Sequence, residues 1–415
     1  MRILLVQSPT GREEAPIYPL GLAFIAGQLK GRIVRGLDLS RERDYTGALR
    51  RELESFAPNV TAVSLRNIDD SSYPVTYSYV EPFAEVMQVL NGWDGTVVAG
   101  GTGFSIYPER VMELFPGIDY GVPGEGEVVF PQLMDHLEKG SSVDGWDGGR
   151  ILPWKRSDLN AIEPPDYGIL DLSNYPVPDT IGVQSRRGCA YSCTYCTYGY
   201  LSGPEFRTRP VQHVLRDIRQ LEELGASRFQ FVDSVFNAPE DYFLKLLAGL
   251  ETTGTNLSWS AWVDEKVTGE QLARMKQAGA VKLDFSPDAI TDRGLRMLGK
   301  RGRAEELLPA VRAARSAGLQ VGVNFFSGNP GEGFFALLRK LFFMLRARFT
   351  LGWSDTFVNI GTIRVYAHSP MAGQMKKEGR VPPDCDFYRP VFHRGSGPGD
   401  WLYRFYQRVR RLRHG

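Results

Sequence analysis

Short apolar runs alternate with amphipathic stretches over the first third of the chain. Five runs have the length and apolar content of buried strands, and four of the stretches between them have helical spacing. Such alternation predicts a parallel sheet covered by helices on both faces, which binds ligands beyond the carboxyl ends of its strands. The predicted strands are residues 2–6, 33–39, 60–65, 96–99 and 119–122, and the predicted helices are residues 20–29, 46–56, 80–90 and 127–137.

The same alternation resumes after residue 178, with six strand positions and five long crossovers. This pattern predicts a partial (β/α)6 barrel of the TIM type, with its site at the carboxyl ends of the strands. Trp259 and Trp262 lie on opposite faces of one strand because their separation is odd, so one of them at most faces that site, and a core role stays open for both. The predicted strands are residues 180–184, 228–232, 257–263, 281–285, 321–326 and 356–365, and the predicted helices are residues 211–224, 241–251, 269–278, 304–317 and 334–346.

A stretch without periodicity separates the two alternating regions. Residues 139–178 are rich in Gly, Asp, Pro and Trp, and we interpret them as a linker. The fold class is therefore α/β, with a Rossmann-like (flavodoxin-like) domain over residues 1–138, the linker, the barrel over residues 179–371 and an extension over residues 372–415. The extension is predicted to be a short irregular stretch followed by an amphipathic helix over residues 401–412.

Composition narrows the class of protein. The 415 residues are 42% hydrophobic and 23% charged, so the chain can bury ordinary cores and is not disordered. A formal charge of +1 argues against a nucleic-acid partner or a membrane surface, and no window resembles a signal peptide or a membrane span. We therefore expect a cytoplasmic protein with a small-molecule substrate.

Three of the four cysteines fall on one short segment with the spacing Cys-x3-Cys-x2-Cys. Three thiolates on a loop can hold three corners of an iron–sulfur cube and leave the fourth iron open to a small molecule. A closed zinc site needs a fourth ligand, for which His213 is the nearest candidate in sequence, at a spacing typical of no common zinc motif. Zinc and plain packing stay open as alternatives. The three cysteines are Cys189, Cys193 and Cys196; the remote Cys385 is interpreted as a free structural thiol.

The cysteine segment resembles the signature of the radical S-adenosylmethionine (SAM) superfamily, including an aromatic residue, Tyr195, just before the third cysteine. The resemblance covers residues 180–370. It implies a [4Fe–4S] cluster on the three cysteines, whose fourth iron chelates SAM. It also implies an electron donor, such as flavodoxin or ferredoxin, that reduces the cluster.

Polar residues at the predicted strand ends resemble the SAM-binding positions of that superfamily. Asp233 and Ser234 stand where the family holds the SAM ammonium, although Asp233 is also an ordinary turn or helix-cap residue. Asp284 and Ser286 resemble the ribose- and carboxylate-binding position, although a turn explains Pro287-Asp288 equally well. The turn at Gly328 and Pro330 resembles the family's adenine-contacting Gly-x-Pro-Gly-Glu motif.

The first domain resembles the cobalamin-binding domain found ahead of many radical SAM domains. Its glycine-rich strand ends suit a large flat ligand, whereas no dinucleotide-type Gly-x-Gly-x-x-Gly follows the first strand. Residues 8–12 lack the cobalt-binding histidine of methionine-synthase-like domains, and the domain's only histidine is His136, so we expect cobalamin without a histidine lower ligand. The residues implied in binding cobalamin are Arg66, Asn67, Gly100, Gly101, Thr102, Gly124, Glu125 and Gly126.

The segment around Arg66 and Asn67 resembles the tryptophan 2-methyltransferase and phosphinate P-methylase branch. In that branch an arginine approaches the lower face of cobalt without ligating it, because a guanidinium has no lone pair. Arg66 is the candidate here, and a surface pair with Asp69 or Asp70 is the alternative.

The resemblance implies transfer of a methyl group from SAM, through methylcobalamin, to an unactivated carbon or phosphorus atom. Whether a 5′-deoxyadenosyl radical is formed stays open. Tyr366 and His368, at the end of the last predicted strand, are candidates for contacting the substrate or accepting a proton. The alternatives are cyclisation or ring rearrangement with the same cofactors, and a redox or cofactor-binding protein without catalysis.

Overall fold

The computed structural model describes residues 1–10, 15–351, 355–395 and 398–412. Gly11 and Arg12, within the loop that lacks a cobalt-binding histidine, lie outside the described residues. The chain divides into two compact units. The first unit comprises Met1–Asp70, Tyr77–Val183 and Gln212–Arg228, and the second comprises Ser71–Thr76, Gln184–Val211 and Phe229–Gly415.

The first unit is built on a five-stranded sheet in the order β2-β1-β3-β4-β5, and all four strand pairs are parallel. This strand order is that of the flavodoxin-like doubly wound fold, which confirms the predicted class. Its elements are β1 (Arg2–Gln7), α1 (Leu20–Gly27), β2 (Ile33–Asp38), α2 (Tyr45–Phe56), β3 (Val60–Ser64), α3 (Val80–Leu90), β4 (Thr96–Gly100), α4 (Thr102–Ile106), α5 (Pro108–Leu114), β5 (Tyr120–Gly121), α6 (Gly126–Lys139), β6 (Gly182–Val183) and α8 (Val211–Glu223).

Burial explains why these segments are strands. Ile3, Leu4, Leu5 and Val6 of β1 are all fully buried, so both faces of the central strand are covered. The same apolar core takes in Leu152, from the segment predicted to be a linker. That segment therefore contributes to the core of the first unit.

Residues 139–178 lack long regular elements, as their composition predicted. Two short 3-10 turns, Tyr167–Ile169 and Leu172–Asn174, are the helical pieces that the structure assigns there. The backbone N–H of Leu152 donates to the Gly121 carbonyl at 2.8 Å, and the Tyr167 hydroxyl donates to the Gly182 carbonyl at 2.8 Å. These bonds hold the segment against the ends of β5 and β6.

The second unit has a sheet in which β14, β13, β12, β11, β10 and β9 are neighbours in that order. Strands β10 to β13 run parallel, as a (β/α) barrel requires, whereas β14 is antiparallel to β13. Its elements are β7 (Arg186–Arg187), α7 (Tyr198–Ser202), β8 (Arg207–Thr208), β9 (Arg228–Phe231), α9 (Glu240–Thr253), β10 (Ser258–Val263), α10 (Gly269–Gln277), β11 (Ala280–Asp288), α11 (Asp292–Met297), α12 (Leu307–Ser316), β12 (Gln320–Ser327), α13 (Phe334–Leu351), β13 (Thr356–Val365), α14 (Pro370–Lys377), β14 (Val391–His393) and α15 (Pro398–Leu412).

The extension is more ordered than its sequence predicted. The prediction of an irregular stretch before the last helix is wrong, because α14 and β14 both lie there. Ser369 caps α14 through the backbone N–H of Ala372, with Pro370 in the first turn, and β14 pairs with β13 through Ile363 and His393. A three-residue strand carries too little alternation to be recognised from sequence.

None of the described helices is both long enough and apolar enough to cross a membrane.

Candidate active site

The cysteine loop connects two short strands, β7 and β8, which pair antiparallel. Gly188, directly before the first cysteine, has φ +75°, and a Cβ atom there would lie 2.1 Å from the Glu205 carbonyl oxygen. Only glycine fits this turn without distortion. The backbone N–H of Cys189 donates to the Gly203 carbonyl at 3.1 Å, and that of Cys196 donates to the Cys193 carbonyl at 3.1 Å. The loop therefore has a defined conformation, with three half-buried thiols.

Two of the thiols, those of Cys193 and Cys196, are poor anions in the absence of metal. Burial raises the pKa of the Cys193 thiol to about 11, against the opposing charge of Lys300. Burial also raises the pKa of the Cys196 thiol, although the Tyr198 backbone N–H lies 3.4 Å from its sulfur atom. Metal binding would have to displace these protons.

The donor set fits an iron–sulfur cluster. Among the described residues, no three His, Cys, Asp or Glu side chains are gathered closely enough to hold a single metal ion. A [4Fe–4S] core is larger than a single ion, and cysteine thiolates are its usual ligands. Three thiols on one defined loop therefore suit a cluster with one iron left open.

An open cavity of about 640 Å³ adjoins the cysteine loop within the second unit. That volume includes space open to solvent, and residues that follow β9 and β10 line the cavity together with residues near the end of β11. This is the edge of the sheet at which the sequence predicted a site. The polar and aromatic lining residues are Tyr191, Cys193, Ser234, Trp262, Asp264, Glu265, Ser286, Lys300, Arg301 and Arg303.

A buried network joins the cysteine loop to β11. The Asp288 carboxylate accepts a hydrogen bond from the Tyr195 hydroxyl at 2.6 Å and lies 2.5 Å from the Lys300 ammonium nitrogen. Burial alone would lower the pKa of Lys300, but the negative charge of Asp288 outweighs it and raises that pKa. The lysine is therefore a fixed cation beside Cys193. Tyr195 thus contacts the network through Asp288, and its ring packs edge-on against Phe326.

Asp233 is turned into the protein. Its two carboxylate oxygens accept from the Ser185 N–H at 2.9 Å, the Ser185 hydroxyl at 2.5 Å and the Arg186 N–H at 3.2 Å. Burial raises its pKa, against the charge of Arg186. These contacts tie the end of β9 to the strand before the cysteines, and it is the next residue, Ser234, that lines the cavity.

Of the other predicted SAM-binding residues, Ser286 lines the cavity beside the cysteine loop, whereas Asp284, Gly328 and Pro330 are not among its lining residues. Asp284 is buried with an ion pair to Lys282 at 3.0 Å. Gly328 lines a separate pocket, and Pro330 lies in the turn that follows it. A Cβ atom at Gly328, whose φ is +72°, would lie 2.2 Å from the Gly395 nitrogen atom, so close packing explains this glycine.

The turn after β12 is fastened to the end of β11. Glu332 accepts from the backbone N–H groups of Ile290 at 2.7 Å and Thr291 at 3.0 Å, and it forms a buried ion pair with Lys340. The Asn329 amide donates to the Asp288 carbonyl at 2.7 Å. The motif therefore has a structural role in holding Asp288, whatever it contacts in a ligand.

Sequence reasoning missed Glu265, Lys300 and Arg301. One carboxyl oxygen of Glu265 is buried without a hydrogen-bond partner among the described residues, and burial raises the pKa of Glu265 to about 7. Its position just after β10 was a signal that could have been used. Lys300 and Arg301 follow α11, and they reach the cysteine loop because the Thr194 N–H donates to the Leu298 carbonyl at 2.9 Å. Sequence spacing gave no sign of that contact.

The tryptophans of β10 occupy different environments. Trp262 lines the cavity, and Trp259 is fully buried, with its indole N–H donating to the Ala278 carbonyl at 2.7 Å.

The side chains of Tyr366 and His368 lie after β13, and neither lines the cavity. The Tyr366 hydroxyl is 2.7 Å from the Ser71 hydroxyl, and the Arg364 guanidinium lies over its ring at 4.4 Å. His368 has φ +65° and stacks flat on Tyr200, with ring centroids 3.9 Å apart.

The implied cobalamin-binding loops of the first unit follow the neighbouring strands β3, β4 and β5. The Leu65 N–H donates to the Gly100 carbonyl at 2.9 Å, and the Gly103 N–H donates to the Leu65 carbonyl at 2.9 Å. Gly101 has φ +94°, and a Cβ atom there would lie 2.7 Å from the Leu65 oxygen. Thr102 begins α4 directly after it. These loops thus form one continuous edge at the carboxyl ends of the strands.

Arg66 and Asn67 are half-buried on that edge. A surface pair with Asp69 or Asp70 stays the alternative for the Arg66 guanidinium. His136 lies in α6, and its Nδ1 atom is 2.8 Å from the Ser141 carbonyl oxygen. The residues present fit a cofactor that approaches a guanidinium and has no histidine ligand.

The loop after β5 is supported by the segment 139–178. Gly124 has φ +75°, a Cβ atom there would lie 2.4 Å from the Trp154 indole nitrogen, and its N–H donates to the Ser105 hydroxyl at 2.8 Å. The Glu125 carboxylate accepts a hydrogen bond from the Ser157 N–H at 2.8 Å. The next residue, Gly126, begins α6.

Residues 183–334 match the model of the radical SAM superfamily. These residues, most of which belong to the second unit, therefore form a radical SAM domain, which confirms the resemblance inferred from the cysteine spacing.

Similar proteins specify the group within that superfamily. The chain is 26% identical over 359 residues to an uncharacterized methyltransferase, PH0819, from Pyrococcus horikoshii, covering 80% of this chain and 75% of that protein. It is 23% identical over 469 residues to the cytidylyl-2-hydroxyethylphosphonate methyltransferase of Streptomyces wedmorensis, covering 92% and 83%. The expected resemblance to cobalamin-dependent radical SAM methyltransferases is thus confirmed.

The fold has a solved counterpart in TsrM from Kitasatospora setae, a radical SAM methyltransferase determined with tryptophan and a SAM analogue bound. The TM-score is 0.79 at 22% identity, covering 91% of this chain and 76% of that chain. TsrM has also been determined with cobalamin and a [4Fe–4S] cluster bound, with a TM-score of 0.75. This similarity confirms the fold, a flavodoxin-like unit followed by a partial barrel.

Proposed function

We propose that this chain is a cobalamin-dependent radical SAM methyltransferase that methylates an unactivated carbon or phosphorus atom of a small molecule. The observation that carries the proposal is the cavity beside Cys193, which lies at the carboxyl edge of a radical SAM domain. The methyltransferases among the similar proteins favour methylation over cyclisation or ring rearrangement.

The cofactors carry the difficult chemistry. When bound, the cluster would supply an electron to SAM, and cobalamin would carry the methyl group. Cys189, Cys193 and Cys196 would hold the cluster, and Lys300, which is fixed beside Cys193, would stabilise the thiolate form. Ser234, Ser286 and Arg301 line the space in which SAM would be oriented.

Arg66 is the residue that we assign to the lower face of cobalamin. Its guanidinium is half-buried, and it offers donors but no lone pair to a metal. Arg66 would therefore contact bound cobalamin through hydrogen-bond donors without supplying a ligand to the cobalt, which would carry the methyl group. Asn67 and the loops at residues 100–102 and 124–126 would line the same edge.

Tyr366 and His368 stand as candidates for substrate contact after β13, outside the cavity beside the cysteines. Flavodoxin or ferredoxin is the class of partner that would deliver the electron. A cytoplasmic location follows from the thiol chemistry, because a reducing compartment keeps Cys189, Cys193 and Cys196 available for iron.

Product analysis tests this function. The chain is reconstituted anaerobically with iron, sulfide and cobalamin, reduced, and supplied with SAM and a library of small metabolites. We expect S-adenosylhomocysteine, and one metabolite whose mass rises by one CH2 unit. Cys193→Ala should abolish both products. Cys385→Ala, in a half-buried thiol that packs on the apolar cluster around Met371 and Met375 and is no cluster ligand, should keep them. Loss of hydrogens without added carbon would instead support cyclisation. Absence of both S-adenosylhomocysteine and 5′-deoxyadenosine would contradict enzymatic activity.

A further inference from the structure

Arg186 is an anomaly in the second unit. Its side chain is 1% exposed, and none of its three guanidinium nitrogen atoms has a hydrogen-bond partner among the described residues. A guanidinium carries five N–H donors, and burying them unpaired is costly. Two other buried arginines of this unit do find acceptors: Arg364 donates to the Phe387 carbonyl at 3.0 Å, and Arg209 donates from one nitrogen to the Gln184 carbonyl at 2.8 Å.

The surroundings of Arg186 hold it in place without satisfying it. Its backbone pairs with Thr208 across the β7–β8 hairpin, and its guanidinium lies 5.2 Å from the centre of the Phe206 ring. The nearby carboxylate of Asp233 accepts the backbone N–H of Arg186, not its guanidinium, and its oxygens are engaged by Ser185. A ring face is a weak partner for five donors.

The unsatisfied cation lies close to the cluster cysteines along the chain. Arg186 precedes Cys189 by three residues on the same hairpin strand and loop. Burial lowers the pKa of the guanidinium, while the negative charges of Asp233, Tyr242 and Cys189 act against that change. The Cys189 sulfur atom is therefore within electrostatic reach of the guanidinium.

We propose that Arg186 tunes the cluster through its charge: the buried guanidinium, which no described protein group neutralises by a hydrogen bond, stabilises the reduced form of the cluster. The inference rests on the proposed function, because it requires a [4Fe–4S] cluster on the cysteine loop. Reduction takes the core from [4Fe–4S]2+ to [4Fe–4S]+, with the electron supplied by dithionite or by a flavodoxin-like donor. The added negative charge interacts favourably with a fixed cation in a poorly hydrated site.

Arg186→Met separates this role from a structural one before any cluster is present. An unpaired buried guanidinium stabilises the fold little, so its replacement by an apolar chain should leave the unfolding temperature of the metal-free protein unchanged or raised. Arg186→Gln, a second neutral variant, should fold as well. If both variants fail to fold, Arg186 is a structural residue and the inference is overturned.

The reduction potential of the reconstituted protein gives the decisive readout. Arg186→Met and Arg186→Gln should shift the reduction equilibrium at least tenfold toward the oxidised form, which is 59 mV for one electron. Arg186→Lys keeps the charge and should shift it less. The matched control is Arg315→Met, at the opposite edge of the sheet, where Arg315 pairs with Asp355 at 3.0 Å; its potential should stay at the wild-type value.

The outcomes are distinguishable. A wild-type protein that assembles no cluster refutes the proposed function, and this inference with it. A wild-type protein with a cluster, whose potential is the same in both neutral variants, refutes the role of Arg186 alone. Equal shifts in Arg186→Met and Arg315→Met also contradict it, because they would show a general loss of folding quality.

Discussion

The charge states of Cys193, Cys196 and Lys300 depend on their surroundings. Burial holds Cys193 and Cys196 as thiols, and Asp288 holds Lys300 as a cation beside them. A cation next to a thiol lowers the cost of removing its proton when iron binds. The site is therefore prepared for a cluster by electrostatics as well as by spacing.

Glu265 makes the stability of the metal-free protein depend on pH. Burial raises its pKa from 4.5 to about 7, so between these values the folded state binds more protons than the unfolded state. The contribution of this residue to stability is therefore present below pH 4.5 and is lost as the pH rises through about 7. Glu265→Gln should flatten this loss. Urea unfolding at pH 5 and pH 8 measures it, and an equal pH dependence in both proteins would contradict the assigned burial.

At the scale of elements, the cysteine loop is held by the paired strands β7 and β8 on either side of it and by hydrogen bonds to distant segments. The Met371 N–H at the start of α14 donates to the Thr194 carbonyl at 2.7 Å, and the Thr194 N–H donates to the Leu298 carbonyl. Helix α14, which begins at the end of the predicted barrel, thus helps to position the cluster ligands. We expect the loop to tolerate little change in its backbone.

Gly188→Ala tests the turn that starts this loop. Its φ of +75° and the close Glu205 carbonyl leave no room for a Cβ atom, so the variant should lose at least ~1 kcal/mol of stability and bind less iron per chain. Gly199→Ala is the matched control, because Gly199 lies in α7 with nothing within 4 Å of an added Cβ atom. Iron and sulfide analysis after anaerobic reconstitution distinguishes them. Equal iron content in both variants would show that the turn is not required.

The elements also show what the sequence could and could not predict. The strands of both sheets were predictable because buried parallel strands are continuous apolar runs, and the cysteine loop because its spacing is specific. The contacts of Lys300 and Arg301 with the cavity were not, since they depend on the Thr194–Leu298 bond between distant segments. Nor could sequence show that Asp233 turns inward or that Gly328 packs on Gly395.

For the whole molecule, the two units combine a flavodoxin-like sheet and a radical SAM domain in one chain. Each presents candidate ligands at the carboxyl ends of its strands, where folds of this type bind their cofactors. The domain boundaries predicted from sequence stay a prediction. The compact units are not continuous in sequence, because Ser71–Thr76 belongs to the second unit and Gln212–Arg228 belongs to the first. The function of the molecule depends on the cluster in the second unit.

The most direct test of that dependence is electron paramagnetic resonance spectroscopy of the anaerobically reconstituted and reduced protein, with and without SAM. The account predicts about four irons per chain and a [4Fe–4S]+ spectrum that changes when SAM is added, because one iron has no protein ligand. Replacing Cys189, Cys193 or Cys196 by Ala should remove the spectrum. Preferential uptake of zinc, or a normal cluster spectrum in any of these three variants, would contradict it.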